Sequence, residues 1–336
     1  MPASALKIVQ ISTEATWGST SGLTTIKVHG ITDASLKINS SVENFPQVGW
    51  FGPGPLAQEQ MQSGDAKWAM VMTYEEAPRL LNAFFTAIVQ SSGSVVGTSS
   101  GSWNYPYTAP VTSTQTVSTY NIEYGTSGAA YRSLGSIGKH LVLKGTAGGF
   151  WEADVDWIAQ GIIAASGLTT GLADRTVNPV RVGDTTLYVD PFSTGTIGST
   201  AKTATLISFE LAIETNRHLK QFAGQLHPGD WGDAKWEGTL KLTAEFNANA
   251  KTLVDELLGS SGAAVSRQIR IGATQGSSAT LKTFNLDFAG IKTEGETLFS
   301  DRDGNMTVDL TFMGRYTTAL SNWFNCTVQN GSSSTT

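Results

Sequence analysis

Gly64-Asp65-Ala66-Lys67-Trp68 recurs letter for letter as Gly232-Asp233-Ala234-Lys235-Trp236, and half of the 336-residue chain separates the two copies. A repeat at that spacing predicts two copies of one structural unit rather than two unrelated domains. The signals around each copy follow the same order. Upstream stands an alternating strand, Ser35–Ser40 in the first half and Ser208–Glu214 in the second, with apolar residues at every other position. A long loop follows each, Val42 to Ser63 and Thr215 to Trp231, punctuated by Pro46, Gly52, Pro53, Pro228 and Gly229. After each Trp comes a strand, Trp68–Tyr74 or Gly238–Ala244, and then a short helix.

The two helices are predicted over Glu75–Ala87, with Pro78 in the first turn, and over Asn247–Leu258, with Asn247 as the cap. Leu80, Leu81, Phe84 and Phe85 recur at helical spacing in one, and Ala250, Leu253, Val254, Leu257 and Leu258 in the other. Further strands appear in parallel order: Tyr120–Tyr124 beside Gln268–Ile271, Lys139–Lys144 beside Thr283–Phe288, and Ala153–Ile158 beside Met306–Phe312. The expected organisation is an arm over 1–23, a first unit over 24–163, a bridge over 164–199 with its own hairpin at Arg181–Val189, a second unit over 200–318 and a tail over 319–336. Each repeated Gly-Asp is expected to turn the chain into a strand, and each Trp to pack in a core.

Composition agrees with a mainly β fold with minor α. Charged residues make up 15% and hydrophobic ones 40%, with 36 Gly. This chain is too apolar for disorder and too poor in helix formers for a coiled coil. The net charge of −6 and the lack of any Lys/Arg cluster argue against gripping nucleic-acid phosphates. No apolar run is long enough to span a bilayer, so no membrane binding is expected. The lone Cys326 and the scattered His29, His140, His218 and His227 give no zinc spacing. No metal or cofactor is expected.

Catalytic patterns are weak. Gly97-Thr98-Ser99-Ser100-Gly101 matches a nucleophile-elbow pattern but lies in the Gly/Ser-rich 91–115 segment with no helix after it. Asp301-Arg302-Asp303-Gly304-Asn305 lacks the closing glutamate of a calcium loop and reads better as a hairpin turn. Asp154 and Asp156 share a strand face, as paired glycosidase carboxylates could, but nothing beyond the nine Trp suggests a sugar cleft. The chain is not expected to be an enzyme.

The opening Ile11-Ser12-Thr13-Glu14-Ala15-Thr16-Trp17-Gly18, then Gly30-Ile31-Thr32-Asp33-Ala34-Ser35-Leu36, then Ser208-Phe209-Glu210-Leu211-Ala212-Ile213 with Asn216, carry a likeness. In their order, spacing and loop character, from about residue 7 to residue 318, the chain resembles the tail tube (major tail) proteins of long-tailed bacteriophages. That resemblance implies a unit of two packed β-sheets, a sandwich or barrel, with one flanking helix. Such units form rings of six that stack into a hollow conduit for the genome. A chain carrying two units then implies homotrimeric rings with pseudo-sixfold symmetry, or else a hexamer. Implied partners are other copies of the chain, the tape measure protein and viral DNA in the lumen, and tail terminator and distal tail proteins. The implied location is the virion tail, after synthesis and assembly in the host cytoplasm.

Under that reading, a lumen that lets DNA slide must not be basic. Glu210, Glu214, Asp154, Asp156 and Asp309 are the candidate lumen-lining residues, because each alternates with apolar neighbours along its strand. Phe45, Trp50, Phe51, Phe222 and Trp231, in the two long loops, are the candidate inter-ring contacts. The other reading is a β-rich phage adhesin or carbohydrate-binding module, suggested by the Trp and Tyr content.

Overall fold

A computed structural model describes residues 7–20, 25–45, 48–49, 51–52, 54, 56–86, 91–92, 103–126, 128–192, 196–258, 266–277, 281–293, 300–302 and 304–331. The first half holds strands β1 (Ile8–Thr13), β2 (Thr25–Lys27), β3 (Ile31–Phe45) and β4 (Leu56–Val71), then helix α1 (Ala77–Leu81). After it come β5 (Ser91–Ser92), β6 (Trp103–Thr108), β7 (Tyr120–Thr126), β8 (Ala129–Thr146), β9 (Trp151–Ala159) and β10 (Gly161–Ala165). The second half begins with β11 (Thr185–Pro191), β12 (Leu206–Glu214), β13 (His218–Lys220), β14 (Asp230–Gly232), β15 (Glu237–Glu245) and α2 (Ala248–Leu258). It ends with β16 (Ser266–Gln275), β17 (Lys282–Lys292), β18 (Ser300–Arg302), β19 (Asn305–Gly314) and β20 (Phe324–Asn330). The mainly β class read from the sequence is what the chain adopts.

One set of antiparallel pairings occurs in the first half and again in the second. In the first, β3 pairs β4, β4 pairs β9, β9 pairs β8, and β8 pairs both β7 and β10, with β1 on β7. In the second, β12 pairs β15, β15 pairs β19, β19 pairs β17, and β17 pairs both β16 and β20, with β11 on β16. The long β8 serves two sheets, and its register shifts between Gly138 and His140. A Cβ on Gly138 would stand 2.5 Å from the Phe84 ring, so only glycine lets the strand cross beneath α1 there.

Alternation decides which face is buried. Trp68 and Met70 of β4, Val155 and Trp157 of β9, Leu141 and Leu143 of β8, Phe209, Leu211 and Ile213 of β12, Leu240 and Leu242 of β15, and Leu310 and Phe312 of β19 all turn inward. Trp157 anchors the first half of this core, its ring 4.7 Å from that of Trp68 and 6.2 and 6.1 Å from those of Phe84 and Tyr120. Trp151 joins the halves by packing edge-on against Phe209, with ring centroids 4.9 Å apart, and at a tilt against Phe284 at 5.0 Å. Aromatic pairs at such distances add about 0.5–1.5 kcal/mol to their burial.

Several local expectations change. The pentapeptide copies are not in corresponding places: Gly64–Trp68 lies inside β4, whereas Gly232 ends β14 and Trp236 precedes β15. In the pairing scheme Trp68, opposite Ala34 and Val155, corresponds to Leu242, opposite Phe209 and Leu310. Gly64-Asp65 is therefore strand, not turn. The bridge hairpin at Arg181–Val189 is instead a single 3₁₀ turn, Val182–Asp184, leading into β11, which is taken up by β16. α1 is one short turn, with Pro78 at its start and Leu80, Leu81, Phe84 and Phe85 buried. Asn247 caps α2, its Oδ1 accepting from the N–H groups of Asn249 and Ala250. The Gly/Ser-rich 91–115 segment contributes β6, an added strand beside β20, while Gly97–Gly101 lies outside the described residues. At 301–305 a hairpin joins β18 and β19, and Gly304 takes a positive φ of 82°.

The halves meet where β8 pairs β12, from His140↔Glu214 to Thr146↔Ser208. Just past β12, Arg217 seals this joint. Its side chain is fully buried, Nε donates to Asp233 Oδ1 at 2.8 Å, and Nη1 donates to the carbonyls of Ala83 and Gly138 at 2.9 and 3.0 Å. Nη2 donates to the Phe84 carbonyl at 2.6 Å, and the guanidinium lies 5.4 and 5.1 Å from the Trp231 and Trp236 rings. Burial lowers its pKa and Asp233 opposes the shift, but guanidinium stays charged. Truncating one partner of such a pair strands the other, at about 3–5 kcal/mol. Arg217→Ala is therefore expected to lower unfolding stability by about that much in a denaturant titration, and Arg217→Met with Asp233→Leu to recover part of the loss.

Candidate functional surfaces

Two surfaces stand out once the strands are in order. The first is the polar face of the contiguous run β4-β9-β8-β12-β15-β19. Because side chains alternate, burying Val155, Trp157, Phe209 and Leu211 puts Asp154, Asp156, Glu210 and Glu214 on its outer side. All five acidic residues expected from the sequence lie on this face, with Asp309 on β19. Alternation did not reveal that each faces a donor on the next strand. Lys67 Nζ is 3.1 Å from Asp156, Lys144 Nζ is 2.6 Å from Asp154 and 3.8 Å from Glu152, and Lys241 Nζ is 3.4 Å from Glu210. His140 stands 3.9 Å from Glu214, and Thr243 Oγ1 donates to Asp309 at 2.7 Å.

These contacts set six carboxylates, counting Glu152, against three lysines, and with Asp65 of β4 and Glu237 and Glu245 of β15 also on this side the face remains acidic. The Lys144 pKa is raised, first by its hydrogen bond to Asp154. A raised lysine value means the pair's contribution is complete below about pH 10.4 and is lost only as pH climbs through the shifted value. Exposed pairs like these are worth about 0–1 kcal/mol each. They set register and surface potential more than stability.

The second surface is an arm. β3 and β4 run on as a two-stranded ribbon past Gly64, where β9 ends its pairing at Ala159. Much of the stretch expected as a loop, Val42 to Ser63, is thus strand. Val42, Phe45, Val48, Phe51 and Leu56 are exposed along it, and Trp50 lies outside the described residues. The matching stretch of the second half, Thr215 to Trp231, is compact and folds over the first half. There Phe222 is exposed, whereas Trp231 is half-buried over Arg217, inside the chain's own joint. Arg217 itself was not foreseen; the one hint is an arginine ahead of a segment, Asp230–Trp236, in which two acids alternate with two Trp.

The outer edge of β3 has no strand partner among the described residues. Its apolar residues sit opposite the same kinds of neighbour as those of β12: Leu36 faces Ala66 and Ile38 faces Gly64, as Leu211 faces Leu240 and Ile213 faces Gly238. Yet Ile38 is 55% exposed and Ile213 is 0% exposed. The difference is β8, which covers β12 and has no counterpart beside β3 among the described residues.

No group of three or more His, Cys, Asp and Glu side chains is placed to hold a metal among the described residues. No described helix is long and apolar enough to cross a membrane. A search of curated proteins gave no match. A family model described as phage tail tube protein matches residues 4–314, nearly the whole chain. The family is structural, not enzymatic, and its place is the virion tail. A β-rich chain with one long, acidic, polar sheet face and an unfilled strand edge is therefore a member of the phage tail tube protein family.

Proposed function

We propose that the chain is the subunit of a phage tail tube, built from two tandem copies of one tube unit, and that three copies close a pseudo-sixfold ring whose stacking forms the conduit for the genome. The observation that carries this is the contrast between β12 and β3. The same edge is covered by β8 within the chain in one half and bare in the other, and a bare, flat edge with exposed apolar residues is a template for another copy. A head-to-tail contact of this kind closes into a ring when its rotation permits.

Sheet geometry favours more than one chain. β3, β4, β9, β8, β12, β15, β19 and the end of β17 follow one another as eight strands. Eight strands closed alone would leave a barrel filled by side chains, whereas sixteen or more leave an aqueous channel. Three copies give a backbone ring roughly 40–50 Å across at the usual strand spacing and tilt, enough for a DNA duplex. The polar face lines it, and Asp154, Asp156, Glu210, Glu214 and Asp309 repel phosphate while the paired lysines avoid a cationic trap. Phe45 and Phe51 on the arm, and Phe222 on the compact loop, are the axial contacts between rings. The tape measure protein and DNA occupy the lumen, and terminator and distal proteins cap the ends.

Negative-stain microscopy and light scattering of the concentrated protein are expected to show three-chain rings and hollow tubes. Dispersed monomers that bind glycans would instead support an adhesin. Ile38→Lys is expected to abolish assembly while leaving the unfolding midpoint of the monomer unchanged, because the side chain is already exposed. The double variant Glu210→Lys, Glu214→Lys is expected to leave tubes intact and slow genome delivery by virions carrying it, read as DNA release per virion. Unchanged release would refute the acidic lining.

A further inference from the structure

We infer that the root of the β3–β4 arm, around Val42 and Glu59, docks in an apolar groove on the neighbouring copy of the same ring, between the 110–114 segment and a wall of Trp236, Tyr316 and Trp323. This rests on the ring reading above and adds a contact to it.

The arm needs a surface. Beyond Gly64 it is a two-stranded ribbon, which is marginal alone in water, and Val42 at its root is 62% exposed. The chain's own joint shows what the equivalent segment does. After β12 the chain turns back across β4 just past its last pairing with β9 and across the end of β9: the Gln62 N–H donates to the Leu226 carbonyl at 2.9 Å, and Gln160 Nε2 donates to the Pro228 carbonyl at 3.1 Å. His227 Nδ1 lies 3.2 Å from the Gln62 carbonyl, and its ring is close against Gly161. In this way the segment that follows a covered edge lies over the neighbouring half.

In the second half, the corresponding ends are those of β15 and β19. Trp236 immediately precedes β15, Tyr316 follows β19, and Trp323 precedes β20. No described segment of the chain fills the space there. It is an open groove of about 450 Å³ in which Val111 and Tyr316 are each 48% exposed. Charge also fits: between Asn39 and Ser63 the arm carries Glu43 and Glu59 and no Lys or Arg, while the groove presents Lys235, exposed and without an ion-pair partner among the described residues, and its one carboxylate, Asp233, is taken up by Arg217. If β3 pairs with a neighbour as β12 pairs with β8, its following segment lies over that neighbour as 221–228 lies over the first half.

Cysteine crosslinking tests this. Val42→Cys is combined with Val111→Cys or with Tyr316→Cys in the full-length chain. Native Cys326 is buried and does not compete. On mild oxidation of assembled protein, at least one pair is expected to give disulfide-linked species that stop at three chains, with none from the single variants. A ladder running past three chains would put the arm on the next ring and overturn the lateral placement. Tubes that form normally without any interchain crosslink, or with a crosslink confined to one chain, would reject the groove and leave the ring standing. Failure of the unmodified chain to assemble at any concentration would remove both. As an independent check, Tyr316→Glu is expected to raise the concentration needed for assembly at least tenfold without changing the unfolding midpoint, and an unchanged assembly threshold would count against the groove.

Discussion

Everything else in this molecule depends on how the edge of β12 is covered. A strand edge exposes a row of N–H and C=O groups that must find partners, and a sheet of this size has only a few ways to supply them. Here β8 extends past the first sheet to pair β12 over seven registered positions. That pairing, together with the one between β6 and β20, joins the two halves into one continuous sheet. It buries Ile213 and Leu211, draws Trp151 against Phe209, and brings the chain after β12 within reach of α1. Arg217 then fastens the joint by taking three carbonyls from the first half and one carboxylate from the second. The ladder sets register, and the buried cation ties the segment after β12 to the first half.

The two kinds of charge do different work for a reason of dielectric. On the polar face, Lys67–Asp156, Lys144–Asp154 and Lys241–Glu210 stand in contact with water, where attraction is screened and contributes little to stability. Their effect is on the potential above the sheet, which stays negative without being strongly so. Arg217 and Asp233 are shielded from water by protein instead, and each would be costly if left alone. Exchanging the first set therefore costs the fold little, whereas the second is bound to the geometry of the joint.

Period-two alternation made most of the strands legible, since Val155, Trp157, Phe209, Leu211 and Ile213 can be buried only if Asp154, Asp156, Glu210 and Glu214 are not. The order of strands and helices was legible for the same reason. Register was not. The repeated pentapeptide pointed to a pairing of halves, but Trp68 corresponds to Leu242 and not to Trp236. Five shared residues carry little information about register compared with a whole ladder of backbone bonds. The arm reads as loop in the sequence because Pro46, Gly52 and Pro53 announce a turn, and nothing local says how far strands continue on either side. Arg217 was hidden because its partners are mainly backbone carbonyls distant in sequence, and carbonyls leave no mark on composition.

The sharpest asymmetry between the halves lies in the segments that leave β12 and β3. Past Ile213 the chain is compact and hydrogen-bonds back to its own molecule. Past Ile38, over a stretch of nearly the same length, it extends as a ribbon that carries exposed Val42, Phe45 and Phe51. If the halves were fully equivalent, any joint could be exchanged for any other. Making one joint internal to the chain, and leaving the other edge open with a projecting ribbon, gives the two edges different chemistry. The internal joint is complete as soon as the chain folds and does not depend on concentration. In the proposed ring the external joint would form only when copies meet, under mass action. Such a ring of three chains would take two bimolecular associations and one closure, where six separate units would take five and one, which lowers the association entropy that assembly must offset.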